Sequence, residues 1–241
     1  MIIDHLTNDI QTLKACSLTC YSWYIVAAPR IHRTFVFKGD DNIAQKRLSN
    51  RHALGLLPLV KELRVVQLHG PKSFPPQSFR SGNLRHFFAF TNIQSLSFDN
   101  LDIQKFIPRL DRYFGHLSPA LRSLTIHRPR CTPLQLSHFI SLFPNLDDIE
   151  VQHLLLTRTA VHDEPLPPFS APKLRGKLSL SSSSTTVATW EHLAASSGLR
   201  FRFILIGSVP TCAPVLFTAC AETLETFQIQ PVDESGMWSP T

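Results

Sequence analysis

Glycine is scarce in this chain, with 9 residues among 241. That scarcity bears directly on chemistry, because phosphate-cradling loops are built from closely spaced glycines. Neither a Gly-x-x-x-x-Gly-Lys loop nor a Gly-x-Gly-x-x-Gly fingerprint occurs, and Gly176-Lys177 stands alone, so nucleotide binding has no basis. There is no Gly-x-Ser-x-Gly elbow. The 11 histidines are dispersed and form no His-Glu-x-x-His pair. Two adjacent carboxylate pairs exist. Asp147-Asp148 falls at the start of an expected strand and Asp163-Glu164 in a proline-rich loop whose prolines run from Pro165 to Pro172, where solvated charge is the simpler account. The chain is therefore expected not to be an enzyme and to use no cofactor.

Cysteine is also sparse and unpaired in number, with 5 residues at 16, 20, 131, 212 and 220. The opening Met-Ile-Ile-Asp-His has no basic segment before an apolar one, so no secretory signal is read there. Reduced thiols are expected, in an intracellular setting of cytoplasm and/or nucleus. Cys16 and Cys20 lie one helical turn apart without a second Cys/His pair, which gives no zinc site. A long charge-free stretch, the 19 residues Phe203 to Ala221, approaches membrane-spanning length. Gly207, Ser208, Pro210 and Pro214 divide it, so it reads as a buried strand Phe203–Ile206, a turn, and a helix from about Ala213. No membrane contact is expected. Charge is uneven: residues 1–130 hold 18 Lys/Arg and 8 Asp/Glu (+10), residues 131–241 hold 6 and 10 (−4), summing to +6. The basic residues are scattered singly or in short pairs such as Lys46-Arg47, and no nucleic-acid partner is expected.

What the chain does have is proline and phenylalanine: 18 Pro, and 17 Phe against 3 Tyr. Each proline inside a helix removes a hydrogen bond and collides with the preceding turn, so this composition suits many short elements separated by turns. A short apolar phrase recurs, with hydrophobic residues at positions 1, 4 and 6. It is read at Val60/Leu63/Val65, Ile93/Leu96/Phe98, Leu121/Leu124/Ile126, Leu146/Ile149/Val151, Phe201/Ile204/Ile206 and Leu224/Phe227/Ile229. Leu174/Leu178/Leu180 carries one extra residue, where Gly176 permits a bulge. The phrases start at 60, 93, 121, 146, 174, 201 and 224, giving spacings of 33, 28, 25, 28, 27 and 23. Helix candidates lie between them at 103–114, 134–143, 187–195 and 213–221, with Thr132-Pro133 as a helix start. Strand, turn and helix in regular alternation describe a solenoid with a parallel sheet on its inner face; an α/β domain whose spacing is coincidental is the alternative.

The Leu-x-x-Leu-x-Leu phrases resemble those of leucine-rich repeat proteins over about 60–230. In that repeat type the residue between positions 4 and 6 faces the concave side, which gives a row: Arg64, Ser97, Thr125, Glu150, Ser179, Leu205 and Gln228. This row is the expected binding surface for a target protein. Around Leu205 a competing register would turn Phe201, Phe203 and Leu205 inward.

Residues 2–37 read differently. Ile2, Ile3 and Leu6 suit a helix end, Asp9 can cap a second helix carrying Leu13, Cys16 and Leu18, and Cys20, Trp23, Tyr24, Ala27 and Ala28 follow at helical spacing before a break at Pro29. The run Leu13-Lys-Ala-Cys-Ser-Leu-Thr-Cys-Tyr-Ser-Trp, followed by Ile31 and Phe35, resembles an F-box, with Cys20 and Trp23 matching its Cys-x-x-Trp and Phe35 its terminal hydrophobe. The family motif opens with Leu-Pro-x-Glu, whereas this chain begins inside the helix that follows, so an F-box incomplete at its N-terminus is expected.

The two resemblances together imply a fold in the α/β class: a small helical F-box-like head (1–37), a linker or capping segment (38–59), a leucine-rich-repeat-like solenoid with a parallel β-sheet on its concave face (60–230), and a tail (231–241). They imply a substrate-recognition subunit of a Skp–cullin–F-box ubiquitin ligase. A Skp-family adaptor, and through it cullin, would be held by Ile3, Leu6, Leu13, Cys16, Leu18, Cys20 and Trp23, and a target protein of unknown identity by the repeats. A repeat module outside ubiquitin transfer, its head serving only as a cap, is the alternative reading.

Overall fold

The computed structural model describes residues 9–38, 46, 48–51, 55–66, 88–100, 103, 112, 114–117, 119–153, 155–156, 174–181, 190–191, 194–195, 199–207 and 213–229. Two helices open it, α1 (Ile10–Ser17) and α2 (Tyr21–Ile31). Asp9 caps α1, accepting from the Thr12 N–H at 2.9 Å and the Thr12 hydroxyl at 2.6 Å. These two bonds, the hydroxyl's foremost, hold the Asp9 carboxyl below the usual carboxylate range. Leu13 and Ala27 pack between the helices as a small core of their own. Pro29 does not end α2, contrary to the sequence reading, since the helix runs on to Ile31 and the His32 N–H reaches the Ala28 carbonyl at 2.9 Å.

Among the described residues ten strands follow: β1 (Thr34–Lys38), β2 (Glu62–Val66), β3 (Ser95–Asp99), β4 (Ser123–His127), β5 (Arg130–Cys131), β6 (Asp148–Gln152), β7 (Leu155–Leu156), β8 (Lys177–Ser181), β9 (Phe203–Ile206) and β10 (Thr226–Ile229). Eight form one parallel sheet in the order β1-β2-β3-β4-β6-β8-β9-β10, so each strand lies beside the next one in the chain. The short β5 and β7 pair separately. The protein is thus α/β, with an eight-stranded parallel sheet and few helices.

Every phrase from Val60 to Leu224 coincides with a strand of this sheet, but the sheet starts earlier than the phrases do. β1, within the segment read as the helical head, pairs with β2 residue for residue from Thr34↔Glu62 to Lys38↔Val66. Its Phe35 and Phe37 are core residues. His32 occupies what would be position 1, so the strand carries no complete apolar phrase.

One backbone contact recurs along the sheet. The residue before each strand offers its carbonyl to two consecutive N–H groups of the next: Arg33 to Lys61 and Glu62 (2.8 and 3.0 Å), Lys61 to Gln94 and Ser95 (2.7 and 3.0 Å), Gln94 to Arg122 and Ser123 (2.9 and 3.0 Å), Arg122 to Asp147 and Asp148 (2.8 and 2.9 Å). It resumes from Gly176 to Arg202 and Phe203, and from Arg202 to Glu225 and Thr226. The step between β6 and β8 differs. There the Asp147 carbonyl receives only the Gly176 N–H (3.0 Å), and the Lys177 N–H turns to Asp148 Oδ1 at 2.7 Å. This is where the phrase holds its extra residue.

The positions 4 and 6 of all phrases up to β9 are buried on one face, in one continuous core with Phe90, Ile93, Ile103, Phe114, Leu121, Phe143, Leu146, Leu174, Trp190 and Phe201. α3 (Pro133–Ser141) contributes Leu136, Phe139 and Ile140 to it, and α4 (Ala213–Cys220) contributes Leu216 and Cys220. α3 begins with a full capping box, Thr132 and Gln135 each bonding the other's backbone N–H. Phe98, Phe114, Phe139 and Phe143 meet edge to face at 5.4–6.0 Å between ring centres. The stretch weighed as a membrane span divides into β9 and α4, and no helix among the described residues is long and apolar enough to cross a membrane.

Gly176 is held to glycine by space. A Cβ there would sit 2.8 Å from the Asp147 carbonyl oxygen and collide with Asp148 Oδ1. Gly176→Ala is expected to destabilise the fold by about 2–3 kcal/mol in urea unfolding. Adding Asp148→Ala should recover only part of this, because the backbone clash remains. A melting curve unchanged by Gly176→Ala would show that the β6–β8 step is built otherwise.

Candidate functional site

The face of the sheet opposite the core is where the expected binding row lies, and strand pairing joins its members into one line. Arg64↔Ser97, Ser97↔Thr125, Thr125↔Glu150, Glu150↔Ser179, Ser179↔Leu205 and Leu205↔Gln228 are all direct register partners. Val36 extends the line by one strand, opposite Arg64. Ile204 and Ile206 are buried while Leu205 is half-buried and Phe203 is 43% exposed, so the competing register is not the one adopted. Arg64 and Gln228 are exposed, Ser97, Thr125 and Glu150 half-buried, and Ser179 buried.

A second line of side chains on the same face escaped the sequence reading. Two residues earlier in each strand stand Thr34, Glu62, Ser95, Ser123, Asp148, Lys177, Phe203 and Thr226, which share that face by the two-residue period of a strand. The same alternation that gave the first line would have found it. Glu62 is tied up, accepting from Arg33 Nε at 2.6 Å and the Thr34 hydroxyl at 2.8 Å. Between the two lines, in mid-sheet, a recess of about 190 Å³ is lined by Ser123, Thr125, Asp148, Glu150, Lys177 and Ser179. Glu150 accepts from Gln152 Nε2 at 2.5 Å and, at the long distance of 3.4 Å, from the Thr125 hydroxyl. Phe203 and Leu205 adjoin this recess, one strand beyond Lys177 and Ser179.

The helix pair presents a second surface. Leu18, the C-cap of α1, is 86% exposed, and Tyr21, Trp23 and Ile25 on the first turns of α2 are 76%, 38% and 51% exposed. Cys20 is exposed at the N-cap of α2 and Cys16 is half-buried. Leu13 departs from the expected adaptor surface: fully buried against Ala27, it holds the two helices together and is not available to a partner. Ile3 and Leu6 lie outside the described residues. Phe35, matched to the terminal hydrophobe of the head, is a strand residue whose ring lies 5.3 Å from that of Phe90 and beneath the Arg51 guanidinium. Tyr21 and Ile25 were missed because helical spacing identifies a face without saying whether the fold covers it.

Among the described residues no group of three or more His, Cys, Asp or Glu side chains is placed to hold a metal. Comparison of the chain with protein-family models, curated proteins and solved structures finds no match.

The core and the open face of the sheet should differ in thiol chemistry. Cys131 and Cys220 lie in the core, and burial pushes the Cys220 thiol above its ordinary pKa, leaving less thiolate to react. A cysteine introduced by Leu205→Cys should be alkylated in the native protein at least about tenfold faster than either, read site by site by mass spectrometry. Reaction of all three only on unfolding would place Leu205 in the core.

Proposed function

We propose that this chain is a substrate-recruiting subunit of a cullin–RING ubiquitin ligase, an F-box-like head joined to a leucine-rich-repeat solenoid. The head would hold a Skp-family adaptor and the concave sheet face would hold the target. The observation that carries this reading is the concentration of solvent-facing apolar side chains on the helix pair, Leu18, Tyr21, Trp23 and Ile25, beside the first strand of a sheet whose other face bears polar and charged residues. A helix pair serving only to cap a core would turn such residues inward. Leaving them exposed costs hydrophobic stabilisation that a partner can recover.

A solenoid reading draws support from the wiring. Strands adjacent in the chain are adjacent in the sheet, each step repeats nearly the same backbone contact, and one core runs from Phe35 to Cys220. Residues just past three strands, Asn100, Arg128 and His153, share a left-handed backbone with φ of 59°, 50° and 51°. The Asn100 and Arg128 N–H groups then bond the carbonyls of His127 and Gln152, so the turn leaving the strand repeats as well. On this reading Leu18 and Trp23 are the adaptor anchors among the residues proposed for that role, with the exposed Cys20 between them in the chain.

Trp23→Ala is expected to weaken capture of a Skp-family adaptor by at least about 2 kcal/mol, on the order of thirtyfold, with thermal unfolding little changed. Leu18→Asp tests the same surface at a side chain that packs on almost nothing, so loss of binding there is not loss of fold. Capture by both variants equal to the parent, at matched expression, would remove the helix pair from adaptor binding.

A further inference from the structure

Four polar side chains are buried among the described residues: Thr132, Ser137, His138 and Ser179. Thr132 closes the capping box of α3, and Ser137 and His138 make contacts within the protein. Ser179 differs. It is 5% exposed, it lines the mid-sheet recess, and among the described residues its hydroxyl makes no hydrogen bond. A hydroxyl that opens on a recess takes its partner from whatever fills that recess, a water or a ligand group.

The surroundings say what would satisfy it. Asp148 Oδ1 already accepts the Lys177 N–H and Glu150 Oε1 the Gln152 side-chain amide, which leaves Asp148 Oδ2, Glu150 Oε2 with only the long Thr125 contact, and the hydroxyls of Ser123, Thr125 and Ser179. Neither Asp148 nor Glu150 is ion-paired among the described residues. Lys177, an exposed residue, is the single cation lining the recess, against two carboxylates. The recess is therefore a cluster of acceptors with a net charge of about −1, to which a planar, multidentate cation is the complement. At about 190 Å³ it is smaller than the roughly 300 Å³ at which cofactor pockets begin, and suits one side-chain head group.

We infer that this recess receives an arginine side chain from an extended segment of the partner protein, whose apolar side chain three positions away rests on Phe203 and Leu205. The spacing follows from the sheet. Glu150 and Leu205 lie two strands apart, about 10 Å at ordinary strand separation. In a polyproline-II segment residues three apart share a face at about 9 Å, so the motif is Arg-x-x-apolar or its reverse. This inference rests on the reading of the sheet face as the target-binding surface. It does not depend on the head.

A randomised peptide library displayed on phage and selected on the purified full chain tests it. The expected result is enrichment of arginine with an aliphatic or aromatic residue three positions away. The selected peptide, made synthetically, should bind Glu150→Gln and Leu205→Ser each at least about tenfold more weakly, with unfolding curves matching the parent's. Glu150→Arg should shift selection towards acidic peptides. Failure to select any peptide, selection without arginine, or equal affinity for Glu150→Gln would overturn the proposal. Adaptor capture is read on the same preparations. Peptide binding without adaptor capture sinks the ubiquitin-ligase reading and leaves this inference standing; adaptor capture without arginine selection does the reverse.

Discussion

The fold depends on how each strand finds its register against the one before it. Parallel pairing alone leaves a strand free to slide, and a slip of one residue would carry every buried side chain to the open face. Here the slide is blocked at the strand's entry, where two consecutive N–H groups converge on one carbonyl of the preceding strand. Fixing that first contact puts Leu63, Leu96, Leu124, Ile149, Leu178 and Ile204 in one layer and Val65, Phe98, Ile126, Val151, Leu180 and Ile206 in the next. The β6–β8 step shows what happens when the sequence disturbs the pattern. An inserted residue would shift β8, and the pairing survives because Gly176 allows close approach and the Asp148 carboxylate takes the N–H that the Asp147 carbonyl does not reach.

Much of this was legible because the sheet uses a two-residue period that the apolar residues report directly. The strands at Val60–Val66, Ile93–Asp99 and Leu121–His127 could be read residue by residue, and with them the row from Arg64 to Gln228. β1 was hidden because His32 stands where the phrase calls for a hydrophobic residue, and because Phe35 fitted the end of a helical motif equally well. A second regularity was present and unused. Pro58, Pro119, Pro144 and Pro172 each precede the first apolar residue of a phrase by two positions. In two of the phrases an asparagine side chain, Asn92 or Asn145, donates to a proline carbonyl of the preceding turn, Pro58 or Pro119, at 3.0 and 3.2 Å. The high proline count is thus in part a record of where strands are about to begin. The left-handed turn after β4 was not legible, since arginine carries little signal for the conformation that Arg128 adopts; Asn100 and His153, of types enriched there, gave a weak one.

The head was less readable than the sheet for a physical reason. On a short helix, spacing groups Leu13, Cys16 and Leu18 without telling which of them meets the neighbouring helix. The structure separates them sharply, Leu13 fully buried and Leu18 almost fully exposed. A similar ambiguity attaches to aromatic residues. Among the described residues the core takes seven fully buried phenylalanines, Phe37, Phe90, Phe98, Phe114, Phe139, Phe143 and Phe201. A tyrosine at any of these positions would bring a hydroxyl needing a partner, which explains why Phe outnumbers Tyr by 17 to 3.

Core and open face are set by alternate residues of the same strands, so stability and recognition can vary almost independently along this chain. From β2 to β9 the inward positions are uniformly aliphatic or phenylalanine. The outward ones range from Arg64 through serine and threonine to Glu150, Ser179 and Leu205. The inward layer must be continuous, since each strand packs only against its neighbours and a polar residue there would break the core for both. No such rule governs the outward side, where water satisfies whatever the strand presents. Ser179 is the exception on that side, 5% exposed where its hydroxyl lines the recess beside two carboxylates and makes no hydrogen bond among the described residues. A small side chain on a sheet face opens space between its larger neighbours, and space lined with acceptors invites a donor from outside. The acceptors therefore gather at the middle of this sheet, with the apolar pair Phe203 and Leu205 on the adjoining strand.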